Sequence, residues 1–409
     1  MPAPDIHVLY LSYDGMTDPL GQSQVIPYLE GLSKKNVRFT LVSFEKEAAY
    51  KLAGDAIGNQ LKNSGIRWIP LSYTKKPQVL STVYDLWKLR KKVHALIQKE
   101  KIDIVHCRSY ITALVGLWVK KNWNIKFVFD MRGLWADERV DGKLWNLNNP
   151  LYKSVYDFFK NKETEFLLYA DQTVSLTHAA KAEMLSWEKL SGNKIPIEVI
   201  PCCVDLALFD PAKVSDEQLN TWRKKLEINP GTFVLTYLGS IGTWYMLDEM
   251  LLFFKKLREK IPGARFLFIT RDEHARILQQ AGILGLENDI ILQPAARADV
   301  PALISLSRYA IFFILPSYSK KASSPTKQGE LMAMGIPVIC NNGVGDTDNI
   351  IQKYESGYIA DLQKLDDTVE AVSHHDKEFS KEIIMRGAKE YFSLDTGIKK
   401  YLSIYQKLV

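Results

Sequence analysis

Residues 322 to 338 read Ala-Ser-Ser-Pro-Thr-Lys-Gln-Gly-Glu-Leu-Met-Ala-Met-Gly-Ile-Pro-Val. An apolar run, 311 to 315, precedes them, and a second one, 336 to 339, closes them. The pattern predicts strand, polar loop, short helix, glycine stop and strand. Ser324, Pro325, Thr326, Lys327 and Glu330 therefore stand where a loop enters a helix. A helix start offers unpaired backbone N–H groups and the positive end of the peptide dipole, which suits an anion. Lys327 adds a full charge there. Glu330 follows one turn later on the same face, placed to accept hydrogen bonds from vicinal hydroxyls such as those of a ribose. A sugar-nucleotide grip is one reading; an ordinary helix start with a surface lysine is the other.

Outward from this motif, strands alternate with helices in two series. Strands are expected at 6–12, 38–43, 102–106, 126–131, 172–176 and 197–200. Helices are expected near 24–35, 82–99, 111–121 and 150–169. An irregular stretch from Pro201 to Pro211 then reads as a linker. The second series has strands at 233–239, 265–270, 290–293, 309–315 and 337–340, with helices near 245–260, 272–284, 300–307, 327–334 and 347–355. One or two more helices are expected in 376–409. Alternation of this kind implies βαβ units and parallel sheets. The strands are apolar without a period of two, as expected when helices cover both faces. The fold class is α/β, with two doubly wound, Rossmann-like domains.

Size and composition agree. The chain has 409 residues, too many for one ordinary core. It is 46% hydrophobic and 24% charged, which is ordinary for a globular protein. A formal charge of +6 is too mild for a nucleic-acid specialist. Basic clusters such as Arg90-Lys91-Lys92 read first as solvated helix faces, and second as attraction to an anionic membrane surface. No apolar run is long enough to span a bilayer. The first seven residues lack the regions of a signal peptide. Four cysteines without a Cys-x-x-Cys spacing read as reduced thiols, so a cytoplasmic location is expected.

Ligands of doubly wound sheets bind beyond the carboxyl ends of the strands, and the loops there supply the remaining candidates. After the first strand, Gly21 lets backbone approach a ligand closely and Gln22 can donate to it. Arg108 and Ser109 end the strand that carries His106. Asp130, Arg132, Trp135 and Glu138 follow the strand at 126–131. Their density of charge is costly to bury without partners; it reads as an active site or as a structural Asp130–Arg132 ion pair. In the second series Gly239 and Ser240 follow a strand, as do Arg271 and Arg297. His178 and the Asp346-Thr-Asp348 pair read as helix caps. No metal-ligand motif is present in the sequence.

The segment at 322–338 resembles the donor-binding signature of retaining glycosyltransferases of family 4 with the GT-B fold, in Pro325-Thr-Lys-Gln-Gly-Glu330 and in the Gly-Ile-Pro-Val that follows. The resemblance implies an N-terminal acceptor-side domain, 1–205, and a C-terminal nucleotide-sugar domain, 206–391. It also implies a last helix, 392–409, that packs back on the first domain. It makes Gly21, Gln22, Gly239, Ser240, Arg271, Arg297, Ser324, Pro325, Thr326, Lys327 and Glu330 donor-binding residues. Arg108, Ser109, Trp135 and Glu138 become acceptor-side residues, with Asp130, Arg132 and Lys327 in catalysis. The chain departs from the family in three places. Ala322 stands where a second Glu is common, Trp244 and Tyr245 stand where relatives supply Arg and Lys, and the strand at 126–131 ends without the usual histidine.

The implied activity is transfer of a sugar from a nucleotide diphospho-sugar to a hydroxyl on a glycan or lipid-linked glycan. No resident cofactor, metal or nucleic-acid partner is expected, and peripheral contact with a membrane is. Two alternatives stay open: a nucleotide-sugar epimerase on the same fold, and a non-catalytic sugar-nucleotide binder.

Overall fold

The thirteen strands of this computed structural model, which describes residues 6–77, 79–272, 274–374 and 378–409, all run parallel within their sheets. Two compact units are present. The first comprises residues 1–201 and 394–409, the second residues 202–393. The opening residues Met1 to Asp5, used above in judging the N-terminus, lie outside the described residues, as do Glu273 and residues 375–377 of two expected helical stretches.

The first unit holds β1 (Ile6–Ser12), β2 (Val37–Glu45), β3 (Arg67–Ser72), β4 (Ile104–Arg108), β5 (Lys126–Asp130), β6 (Gln172–Ser175) and β7 (Ile197–Val199). Their order across the sheet is β3-β2-β1-β4-β5-β6-β7. The second unit holds β8 (Val234–Leu238), β9 (Arg265–Ile269), β10 (Ile290–Gln293), β11 (Tyr309–Phe312), β12 (Val338–Asn341) and β13 (Gly357–Ala360), ordered β10-β9-β8-β11-β12-β13. Each order reverses once, between β1 and β4 and between β8 and β11. At such a switch the two flanking loops leave in opposite directions and open a crevice. The fold thus singles out the loops after β1 and β4, and those after β8 and β11.

Some elements escaped the sequence pattern. Pro70 interrupts β3, and a proline is tolerated because β3 is an edge strand. The helix before it, Glu47–Asn63, has a mean hydropathy near zero and buries only Gly54, Ile57 and Leu61. The expected helix at 24–35 is two helices, Pro19–Gln24 and Ile26–Ser33. They break at Val25, because Pro27 has no N–H to continue the ladder. Helices Trp135–Asp141, Asp216–Lys225 and Leu365–Ser373, and edge strand β13, were also missed, whereas the helix expected beside His178 is present as His178–Leu185. Thr177, rather than His178, caps its helix by accepting from the Ala180 N–H at 3.0 Å. Asp346 makes no cap either; its Oδ2 accepts from the Tyr391 hydroxyl at 2.6 Å.

The last helix, Leu394–Leu408, belongs to the first unit and packs on helix Ile26–Ser33. Gly31 permits the approach: a Cβ there would sit 2.2 Å from Ile398 Cδ1. The helix delivers Tyr401 and Tyr405 to the ends of β4 and β5. The Tyr405 hydroxyl lies 2.7 Å from His106 Nδ1, and the Tyr401 hydroxyl donates to Asp130 Oδ2 at 3.1 Å. Tyr405→Phe leaves a buried ring nitrogen without its partner, which costs about 1–3 kcal/mol. Denaturant unfolding should show that loss; an unchanged midpoint would mean that the hydroxyl contributes nothing to holding the helix.

Candidate active site

In the second unit the motif helix is Thr326–Ala333, entered from Pro325 in an extended conformation. Pro325 suits the entry because its φ is fixed and it needs no hydrogen-bond acceptor. The helix is buried along nearly its whole length, Lys327 included at 7% exposure. The Lys327 ammonium donates to the Tyr237 hydroxyl at 2.9 Å. It lies 4.1 Å from the Tyr237 ring centre and 3.6 Å from that of Tyr245. Among the described residues no carboxylate comes within ion-pair distance of it. Burial pushes its pKa well below the usual lysine value, against the weaker opposing pull of Glu330 and Asp272. The expectation of a standing full charge is therefore corrected: in the ligand-free protein, desolvation works against the ammonium.

Gly239 faces this lysine. Its φ is +104°, which favours glycine, and a Cβ there would be in ordinary contact with Lys327 Cε and Nζ at 3.4 Å. The loop that follows is pinned by Asp272, whose Oδ2 accepts from Ser240 Oγ at 2.8 Å and from the Ile241 N–H at 2.6 Å. Trp244 and Tyr245 then pair with the segment after β11, through the Leu315 N–H to Trp244 carbonyl bond and the Tyr245–Ile314 bridge. This is the switch-point crevice between β8 and β11, and it assembles a second buried lysine. Lys320, in the 3₁₀ turn Tyr318–Ala322, holds its ammonium 3.6 Å from the Trp244 ring centre. Sequence reasoning passed over Lys320 and Asp272; the Lys320-Lys321 doublet just before the motif was the available signal for the first. The two aromatics that replace the usual loop cations thus cover the lysines on the facing segment.

Glu330 Oε1 accepts from Arg297 Nη1 at 2.9 Å, and the Arg297 guanidinium lies 5.2 Å from the Phe209 ring centre. Burial raises the Glu330 pKa, and Arg297 opposes the rise. Arg297 was expected among the donor-binding residues; here it pairs with the carboxylate expected to hold the ribose. Arg271 is exposed, with Nε donating to the Ala295 carbonyl at 2.9 Å. Ser324 Oγ accepts from the Cys202 N–H at 3.2 Å, and Thr326 opens the helix. Ala322 is buried, in the turn that holds Lys320.

In the first unit, Ser109 (φ +68°) and Arg132 (φ +59°) adopt left-handed backbone at the ends of the neighbouring strands β4 and β5. Such conformations are sparse for residues other than glycine and collect at functional sites. Arg108 Nε donates to Asp14 Oδ2 at 3.1 Å, and Arg108 Nη1 is buried without a hydrogen-bond partner. Asp130 is 1% exposed. Its Oδ2 faces Tyr401 and, at 3.5 Å, His106 Nε2; its Oδ1 lies 3.8 Å from Arg132 Nη1. Burial alone would raise the Asp130 pKa, but Arg132, His106 and Arg108 outweigh it and hold the carboxyl below its usual value. Burial pushes His106 down, which keeps the imidazole neutral. The small cavity beside them, about 10 Å³, has room for one water and none for a sugar. Asp130 is thus a buried hub under Arg132 rather than a group presented to substrate.

Trp135 packs among Tyr110, Trp145 and Phe159, with ring centres 4.9–5.8 Å away, and Glu138 lies in the first turn of helix Trp135–Asp141. Gln22 is exposed and donates to the Thr17 carbonyl at 3.1 Å. Gly21 is corrected: a Cβ there would lie 2.2 Å from the Gly15 carbonyl oxygen, so this glycine answers to its own loop. That loop is anchored by buried Glu45, which accepts from the Met16 and Thr17 N–H groups and the Thr17 and Ser43 hydroxyls. Among the described residues no group of three or more His, Cys, Asp or Glu is placed to hold a metal ion.

Two doubly wound units, one with a cation-bearing helix start at its switch point, define a glycosyltransferase of the GT-B type. The model for Glycosyltransferase Family 4 matches residues 25–208, and that for Glycosyl transferases group 1 matches residues 219–389. The chain belongs to this glycosyltransferase family, spanning both of its characteristic domains. Its fold is similar to that of a glycosyltransferase from Rickettsia africae ESF-5 (18% identity, 99% of this chain and 98% of that one, TM-score 0.70). It is likewise similar to sucrose-phosphate synthase from Thermosynechococcus elongatus (15%, 98% and 99%, 0.75). A third similar structure is Anabaena HepE in complex with UDP-glucose (15%, 97% and 98%, 0.67). No curated protein matches the sequence at a significant level.

Gly21→Ala should destabilise the first unit by about 1–3 kcal/mol, because the clash is with backbone. Denaturant unfolding measures it; unchanged stability with weakened donor binding would restore the ligand role. Lys327 sets a pH dependence. Between its lowered pKa and the ordinary 10.5 it is neutral in the free protein, while a bound diphosphate favours the charged form. In that window the unfolded chain holds the proton more readily, so stability rises with pH. Binding of a nucleoside diphosphate should take up a proton there and weaken as pH rises. Measured above the last ionisation of the phosphate, about pH 6, the uptake reports the lysine alone. Calorimetry of UDP, GDP, dTDP and ADP in buffers of different ionisation enthalpy should show the uptake, and Lys327→Ala should abolish it.

Proposed function

We propose that this glycosyltransferase is a retaining enzyme that moves a sugar from a nucleotide diphospho-sugar to a hydroxyl of a glycan or lipid-linked glycan. The observation that carries the donor class is Lys327: a buried ammonium at a helix start, beside Gly239, with hydroxyl and ring contacts but no carboxylate. Such a group is stabilised by an anion that arrives with its own charge. The Anabaena structure, solved with UDP-glucose, makes UDP-sugars the first donors to try.

In this reading the second unit holds the donor. Lys327 and the free N–H groups of helix Thr326–Ala333 meet the diphosphate, with Lys320 as a second cation. Glu330 receives the ribose hydroxyls, either exchanging Arg297 for them or sharing it. The bond from the anomeric carbon to the phosphate oxygen breaks with its electrons going to phosphate. The acceptor oxygen bonds to the same face, and its proton passes to the departing phosphate oxygen. No enzymic base is needed. Electrostatic support of the leaving diphosphate is the main protein contribution, and it comes from side chains and helix dipole without a resident cofactor or metal. Arg132 is the first unit's catalytic candidate, and Asp130 positions it. Arg108, Ser109, Trp135 and Glu138 shape the acceptor side.

The test is the anomeric configuration of the transfer product by NMR, with and without EDTA. Retention that persists in EDTA is expected. Inversion overturns the mechanism, dependence on Mg²⁺ or Mn²⁺ overturns its metal independence, and an epimerised donor formed without acceptor overturns the activity. Glu330→Gln should raise the donor dissociation constant about tenfold, near 1.4 kcal/mol. A donor lacking both ribose hydroxyls should show that penalty on the wild type and little further loss on the variant.

A further inference from the structure

Helix Leu80–Ile97 turns Ser81, Asp85, Leu89, Val93 and Leu96 inward. By helical period its opposite face carries Leu80, Val83, Tyr84 and Trp87 in the first two turns, at i, i+3, i+4 and i+7. These four are 66%, 57%, 52% and 56% exposed. Single exposed apolar residues are unremarkable in proteins, but four in one stripe are an unpartnered surface. The same face continues with exposed Arg90 and Lys91, and exposed Lys75 and Lys76 precede the helix.

The charges are interleaved with the rings. Tyr84 and Trp87 stack at 5.9 Å, with Lys88 4.9 Å from the first ring centre and Lys91 5.4 Å from the second. The one acid of the helix, Asp85, is fully buried; it pairs with Lys88 at 2.7 Å and accepts from the Tyr13 hydroxyl at 3.0 Å. The outer face of the helix therefore presents no carboxylate. The neighbouring helix Ser109–Trp123 extends the pattern with Trp118, whose ring lies 4.2 Å from the Arg90 guanidinium, and with Trp123 packed against it at 4.7 Å.

We infer that this face of the first unit docks on a bilayer containing anionic lipid, with helix Leu80–Ile97 lying in the interface. Aromatic rings with a polar edge settle at the level of the headgroups, aliphatic side chains beside them enter the acyl region, and lysine and arginine meet lipid phosphates. The argument for lipid over a protein partner is charge complementarity: cations alternate with rings along the stripe, and no acid accompanies them. The charge cluster at Arg90-Lys91-Lys92 was legible in the sequence, but the apolar stripe ahead of it was not singled out there. The inference does not depend on the donor reading, and it would bring the enzyme to an acceptor carried by a membrane.

Flotation with vesicles of phosphatidylcholine, with and without phosphatidylglycerol, tests it. The full chain should float with the anionic vesicles, weakly with neutral ones, and less as salt is raised. Tyr84→Ser with Trp87→Ser, and separately Arg90→Glu with Lys91→Glu, should each lower the vesicle affinity roughly tenfold or more. All four side chains are exposed, so melting temperatures should hold, and the two independent pairs guard against a folding artefact. Absence of binding to anionic vesicles overturns the proposal. So does equal binding to both compositions, or a dimer by light scattering that Trp87→Ser dissolves, since a second copy would then cover the stripe.

Discussion

The ammonium of Lys327, held between the rings of Tyr237 and Tyr245, is the contact on which the second unit's site depends. A buried amine without a carboxylate is expensive to keep charged. The two ring faces and one hydroxyl meet that cost only in part, so burial still lowers the lysine's pKa. Gly239 beside it turns through a φ of +104°, which suits glycine, and leaves the lysine in ordinary contact range. Ser240 and Ile241 are tied to Asp272 so that the loop carrying Tyr245 keeps its course. Trp244 lies over Lys320 in the same way. Two lysines thus lie under aromatic cover at one switch point.

The first unit reaches a comparable arrangement with tyrosines. Asp130, His106 and Arg108 end adjacent strands and are nearly sealed from water. Their hydrogen bonds come in part from the last helix, through Tyr401 and Tyr405. The chain's final turns therefore help orient groups far earlier, since Tyr401 and Asp130 are 271 apart in sequence. Above this sealed layer, Ser109 and Arg132 adopt backbone that glycine would enter more cheaply. The layer beneath is what over-determines those conformations.

The α/β class, the two alternating series and the motif helix were legible in the chain, because uniformly apolar runs separated by helical stretches admit few other architectures. Residues 322 to 338 located the loop-to-helix junction nearly to the residue, since proline before a helix and glycine after it are local rules. Of the four edge strands, β7 and β10 were legible and β3 and β13 were not. Pro70 disguises β3, which tolerates it as an edge strand, and Gly357 disguises β13, where a Cβ would lie 1.8 Å from the Val338 carbonyl oxygen.

What sequence alone determined was therefore which residues could meet an anion at a helix start: Lys327, Glu330 and the loop before them. Tertiary structure decided what they do while waiting. It buried Lys327 under two tyrosines and paired Glu330 with Arg297. It turned Gly21 toward its own loop and closed Asp130 beneath Arg132. Spacing along a chain specifies a side chain's direction from its own element. Desolvation and partner choice depend on what other elements bring, and those arrive from strands and helices far away in sequence.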